Sequence, residues 1–407
     1  YSFNKKFENY EIKILNKNNF YEFDTLFNLK NIPLKIDQIN YLKNENNLSN
    51  INLVGSYDKN NKDLYFKEAR LIEGSNKFYL SNLLLELKNK IKVKNVDKLE
   101  LSYLNNQKKL NDINLIKYNN NYELTGTSYD GKSLVNSIIK GNSNNKSLQI
   151  FKNLNSEINL NLDKFYLGNE AYLKKVIGKL VIKNNKFDSG TIDAFLNKKN
   201  KFSYKLATSS EGEKVTNLYI ENPEPFIKNY KFIKGFKEGK LEFVSTKIAD
   251  ISKSKLKIYT FKVKEVPLLA KVLTLASLQG IADLLTGEGI RFDEFEMDYV
   301  KRDKKNTEIK EIYALGPAIS ILMQGYIVKD ELTSLRGTLV PATTINKSIK
   351  KIPLIGDILV GKKVGEGVFG VSFKIKGDPK NLKTTVNPVK TLTPRFITRT
   401  LENLKGN

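Results

Sequence analysis

Between Phe369 and Lys376 every second residue is apolar: Phe369, Val371, Phe373 and Ile375 have one parity, Gly370, Ser372, Lys374 and Lys376 the other. Successive side chains on a strand point to opposite faces, so this period specifies a strand with one apolar and one solvated face. The same period recurs along the chain. Ile158, Leu160 and Leu162 share a parity, as do Leu241 and Phe243, and Ile319, Ile321, Met323 and Ile327. Asn-rich clusters punctuate the runs, at Asn60-Asn61-Lys62, Asn144-Asn145-Lys146 and Asn184-Asn185-Lys186, the last just after Leu180-Val181-Ile182. Asn tolerates the left-handed backbone that tight hairpins demand. The chain is therefore expected to be mainly β, a long antiparallel meander with one apolar face. No fixed repeat length is visible, which argues against a propeller or a strict solenoid.

Helical signals are few. One short helix is expected within Asn222 to Lys234, with Pro223 and Pro225 near its start, and a clearer one over Pro267 to Leu285, stopped by Gly287 and Gly289. A third candidate spans Thr344 to Lys351. Nine of the ten prolines lie at or after Pro223. These shifts divide the chain into an N-terminal β region, 1–145, a middle β region, 146–265, and a C-terminal region, 266–407.

Composition removes much chemistry. With no Cys and no His, there is no thiol nucleophile, no Cys/His zinc site and no imidazole base. Serine and lysine schemes stay formally open, but no Gly-x-Ser-x-Gly elbow or Ser-x-x-Lys motif accompanies them in a matching context. Asp/Glu metal sites also stay open, although Glu294, Glu296 and Asp298 alternate along a strand without calcium-loop spacing. The expectation is a protein that is not an enzyme and uses no cofactor and no metal.

The formal net charge is +24, which invites a nucleic-acid reading. Lys, Asn, Ile and Tyr are enriched together while Arg and Trp are scarce, as in an AT-rich coding sequence, and the lysines are spread along the whole chain. No nucleic-acid partner is expected. A lysine-coated exterior suits anionic lipid headgroups instead. The longest apolar run, Val266 to Leu285, contains Lys271, Gln279 and Asp283, whereas a membrane span needs about 20 nearly uncharged residues. No signal peptide is visible and the chain begins at Tyr1 without Met; the expectation is a piece of a longer protein, with its targeting signal in the missing part.

The stretch VGEGVFGVSFKIK, Val364 to Lys376, has the look of a nucleotide-binding glycine loop, through Gly365, Gly367 and Gly370. A kinase loop needs a catalytic loop beginning with His and a long domain after it, and only Val371 to Asn407 follow. A dinucleotide fingerprint must open a helix, and these glycines run into a strand. The loop is read as a turn.

From about Val266 onward, about a third of the chain, ordered motifs carry a resemblance. They are LASLQGIADLLTGEGIRFDEFEMDY (Leu275 to Tyr299), LTSLRGTLVPATTIN (Leu332 to Asn346), IPLIGDILVGKKVGEGVFGVSFKIKGDPKN (Ile352 to Asn381) and TVNPVKTLTP (Thr385 to Pro394). Together they resemble the C-terminal region of the AsmA-like family, in particular the YhdP-type bacterial envelope proteins. Upstream, IENPEPFIKNYKFIKGFKEGKLEF (Ile220 to Phe243) follows the family loosely and departs from it at Glu224-Pro225 and Glu238-Gly239.

The resemblance implies a periplasmic protein tethered to the inner membrane by an N-terminal helix, whose long sheet curls into a groove carrying phospholipid towards the outer membrane. On that reading the groove is lined by Ile319, Ile321, Met323, Phe369, Val371, Phe373 and Ile375. The apolar helix, through Leu268, Val272, Leu275 and Leu278, and the patch Ile352, Leu354 and Ile355 would meet membrane or lipid. Lys350, Lys351, Lys362 and Lys363 bracket that patch, each worth about 1 kcal/mol beside anionic headgroups. Two alternatives stay open. Alternation alone does not separate a trough from a closed core, so a structural or assembly factor of the envelope with a β-sandwich core fits the same residues. A helix apolar nearly all round also fits a central core helix.

Overall fold

In the computed structural model of the 407-residue chain, residues 8–36, 39–139, 148–197, 199–230, 233–341 and 370–389 are described. The protein is mainly β, as the alternation predicts: 22 strands belong to a long, mostly antiparallel sheet that does not close on itself. Contacts gather into two units, Tyr1–Ala207 and Thr208–Asn407. The boundaries expected near residues 145 and 265 fall inside these units, because strands pair directly across both positions.

The first unit begins with β1 (Asn9–Lys17), β2 (Phe20–Leu29) and a separate small hairpin, β3 (Leu34–Ile36) with β4 (Tyr41–Lys43). It continues through β5 (Ser49–Asp58), β6 (Asp63–Glu73), β7 (Asn76–Leu87), β8 (Ile91–Asn95), β9 (Lys98–Leu104), β10 (Leu110–Tyr118) and β11 (Asn121–Asp130). After helix α1 (Lys132–Ile139) come β12 (Ser156–Tyr166), β13 (Tyr172–Lys183), β14 (Lys186–Leu196) and β15 (Asn200–Thr208). The Asn184-Asn185 turn is as expected: both residues have positive φ, 48° and 59°, and Lys183 pairs Lys186 across a two-residue loop. Asn18 and Asn19 do the same between β1 and β2, with φ of 49° and 68°. One pairing departs from the expected meander. β11 and β12 run parallel, which needs a long crossover, and the segment holding α1 supplies it.

The second unit holds β16 (Lys214–Ile220), α2 (Glu224–Tyr230), β17 (Lys237–Ile248) and β18 (Ile251–Val263), then helices α3 (Pro267–Leu275) and α4 (Gln279–Thr286). β19 (Ile290–Lys301), β20 (Asn306–Leu315), β21 (Ile319–Val328), β22 (Leu332–Pro341), β23 (Gly370–Asp378) and β24 (Asn381–Val389) complete it, each antiparallel to the one before. The single helix expected over Pro267 to Leu285 is two. The Ala276 N–H bonds back to the Val272 carbonyl, and Ser277 takes a φ of 59°. Such a left-handed residue ends a helix. Gly289, at φ 92°, does close the second helix, and a Cβ there would stand 2.8 Å from the Val263 carbonyl oxygen. α3 packs against β24. α4 packs against β19, and the two helices pack on each other. The helix expected over Thr344 to Lys351 lies outside the described residues.

Candidate functional site, an apolar strip along the sheet

Strand registers line up the apolar parities. In the first unit Ile12, Thr25, Leu53, Ala69, Leu80 and Leu99 stand opposite one another on successive paired strands. The row continues in register through Leu115, Leu124, Leu160, Gly178, Ile192 and Tyr204. In the second unit Leu218, Phe243, Leu256, Met297, Ile312 and Met323 form the equivalent row, followed by Gly337, Phe373 and Val386. At about 4.8 Å per strand these rows extend for roughly 50 and 40 Å, measured strand to strand. Each is a mostly apolar strip, interrupted by Thr25 and Gly178 in the first unit and by Gly337 in the second, that crosses successive ladders of the long sheet.

The strips are not sealed. Leu53, Leu80, Leu99, Leu115, Leu124 and Leu160 are only half-buried, as are Phe243, Leu256, Met297, Ile312 and Met323. Burial is completed to one side of each strip. In the first unit Phe78, Leu101, Ile113 and Leu162, one step along the strands on the same face, are buried. There the β3–β4 hairpin brings in Tyr41, whose ring lies 4.6 Å from Phe78 and 5.8 Å from Tyr103. In the second unit Phe236, Phe261 and Phe292 stack at 5.4 and 5.5 Å, and α3 and α4 bury Val272, Leu273, Ala282 and Leu285 nearby. Each strip therefore has a plugged margin and a half-open centre.

The opposite face is charged. On it Glu296 accepts hydrogen bonds from Lys255 (2.8 Å) and sits 3.1 Å from Lys257, while Lys255 also reaches Asp298 at 3.5 Å. Hydrogen bonding to Glu296 is the main influence raising the Lys255 pKa, whereas for Lys257 burial works downward and Glu296 outweighs it. Glu296 is itself buried, shielded by the lysine stems. In the first unit the corresponding rows hold Glu11, Asn52, Arg70 and Glu100, and Lys13, Asp24, Glu68 and Lys98. The solvated parity expected from sequence is thus present in both units.

The residues expected to line a groove fall on the strip face. Ile321 and Val371 flank Leu339, and Met323 and Phe373 flank Gly337. Their burial is uneven. Met323 is half-buried, whereas Ile319, Ile321, Val371, Phe373 and Ile375 are buried, and Lys374 and Lys376 project to solvent. The Phe373 ring lies over Gly337, where an added Cβ would come within 2.7 Å of it. Among the expected membrane-contact residues, Val272 is interior, Leu268 and Leu278 are half-buried, and Leu275 is 50 % exposed. Phe369, Ile352, Leu354 and Ile355 lie outside the described residues, as does most of the glycine loop. Of the leucines at the centre of the first strip only Leu160 stands out in the sequence reading, although Leu99, Leu101 and Tyr103 carry the same alternation.

No helix among the described residues is long and apolar enough to cross a membrane. In comparison with known proteins, the chain matches no family model, no curated protein and no solved structure.

Proposed function

We propose that the protein is a bridge-like carrier whose apolar strip holds the acyl chains of phospholipid between the inner and outer membranes of a bacterial envelope. The observation that carries this reading is the register-continuous apolar row, half-buried over its centre and backed by a charged face. Contiguous apolar surface of this extent marks a binding surface. A chain of ~16 carbons crossing water exposes about 13 kcal/mol of apolar surface at ~0.8 kcal/mol per CH₂. A strip that shields the chain along its length removes most of that barrier, and the task asks for no catalytic group and no cofactor. The resemblance of the C-terminal motifs to the AsmA-like family supports the lipid as cargo, the periplasm as location and a membrane tether upstream of this chain.

A second reading is favoured by one observation. Val371, Phe373, Ile375 and Leu339 are buried, as the closed core of an envelope assembly factor requires at β22 and β23. Mass spectrometry of lipids that copurify with the intact protein separates the two. The carrier reading expects phospholipid in stoichiometric or higher amount. Protein free of lipid after gentle detergent extraction contradicts it and favours the assembly factor.

A further inference from the structure

On the charged face of the second unit several cations meet carboxylates, as Lys255 and Lys257 do at Glu296. The β22–β24 region differs. Arg336 on β22 stands directly opposite Lys374 on β23, and Lys376 on β23 directly opposite Lys383 on β24. All four are exposed. No carboxylate among the described residues forms an ion pair with any of them. Directly opposed residues on a sheet have Cβ atoms about 4.5–5.5 Å apart, and like charges there repel. The two pairs stand side by side, and among the described residues no carboxylate bridges either of them.

The surface in front of Arg336 and Lys374 is concave. A pocket of about 850 Å³ is lined by both, with Arg302, Lys310, Gln324 and Ser334 among its other walls. That volume is in the range of small-ligand sites. A bulge between Ile309 and Ile312 sets Lys310 and Glu311 against the single position Gln324, which brings the Lys310 ammonium to the pocket. Glu308, also in the wall, is engaged by Arg302 at 2.8 Å and by Lys310. The pocket thus presents more positive than negative charge, a planar guanidinium fork, ammonium groups, and neutral donors on Gln324 and Ser334.

We propose that this pocket binds a phosphate group, whether free or carried by a headgroup. Arginine matches phosphate oxygens two at a time and lysine adds a compact charge, while charge-assisted donors hold the anion more strongly than neutral ones. The bound anion also screens the Arg336–Lys374 repulsion, since both side chains line the pocket. The site stands on the face opposite the apolar strip, so it is separate from any acyl chain lying there.

The test compares melting temperature and calorimetric binding in potassium phosphate and potassium chloride at matched ionic strength, with vesicles of phosphatidylcholine with or without phosphatidic acid as a second arm. Phosphate is expected to raise the melting temperature of the wild-type chain and to bind at least about tenfold more weakly to R336Q/K374Q. Retention on phosphatidic acid vesicles alone, lost in the same variant, assigns the phosphate to a lipid headgroup; an effect of inorganic phosphate assigns it to the free ion. Lys374→Glu keeps the proposal testable if the double variant folds poorly: a new cross-strand pair with Arg336 should hold or raise the melting temperature in chloride and abolish the phosphate shift. Equal responses in wild type and both variants, or no response to either phosphate source, overturn the proposal.

Discussion

Around Glu73 a buried carboxylate is held by donors from three directions: the Tyr41 hydroxyl at 2.5 Å, the Asn47 amide at 2.7 Å and the Asn76 amide at 3.0 Å. Lys43 lies close by, its ammonium donating to the carbonyls of Lys30, Ile32 and Asn44. Burial pushes the Glu73 pKa up, but the three hydrogen bonds and the Lys43 charge outweigh it and hold the carboxyl below its ordinary value. Burial and the same carboxylate push the Tyr41 phenol up. A lowered carboxyl stabilises the fold fully above the ordinary glutamate value of about 4.3, and that contribution is lost as pH falls through the lowered native value. Glu73→Gln should therefore cost about 1.5–3 kcal/mol at pH 7 and flatten the acid limb of unit stability measured by urea unfolding between pH 7 and pH 3. An unchanged acid limb would show that Glu73 does not govern it. Nothing in sequence spacing announces this cluster, because Tyr41, Asn47, Glu73 and Asn76 come together only through the hairpin folding onto β6 and β7.

At the scale of elements, what was legible follows from local physics. Paired asparagines at positive φ fixed the β13–β14 hairpin, and the alternation in Val371, Phe373 and Ile375 gave the buried side of β23. The errors come from non-local or single-residue effects. α1 was missed because it serves the β11–β12 crossover, and the split of α3 from α4 depends on one left-handed residue, Ser277. Burial depth was not legible either, since period-2 patterning is identical for a sealed and an open face. The difference matters to mutation. Val371 is 1 % exposed, so Val371→Asp leaves an unpaired buried charge and should cost about 3 kcal/mol or more. Leu115 is half-buried at the strip centre, so Leu115→Asp should cost nearer 1 kcal/mol while weakening lipid retention. Denaturant midpoints and lipid content measured on both variants check this. Equal destabilisation of both would mean that the strip is sealed at β10 as it is at β23.

For the whole molecule, the chain keeps one parity mostly apolar through turns, bulges and a parallel crossover, so that each unit carries a mostly apolar strip. Bulges preserve it: at Val54/Gly55 and Asp298/Tyr299 the register shifts by a residue, yet Phe66 and Ile309 return to the apolar side. An aligned apolar row serves a closed core as well as a carrier; what favours the carrier is that the row is only half-buried over its centre. The central claim is that lipid chains lie along this row. It is tested most directly by placing a photo-crosslinking amino acid at single positions in cells labelled with radioactive phospholipid. Crosslinks at Leu99, Leu115 and Met297, and none at the opposite-face neighbours Glu100, Asn114 and Glu242, are the result expected here. Labelling that ignores face, or is absent from all six positions in folded protein, would contradict the account.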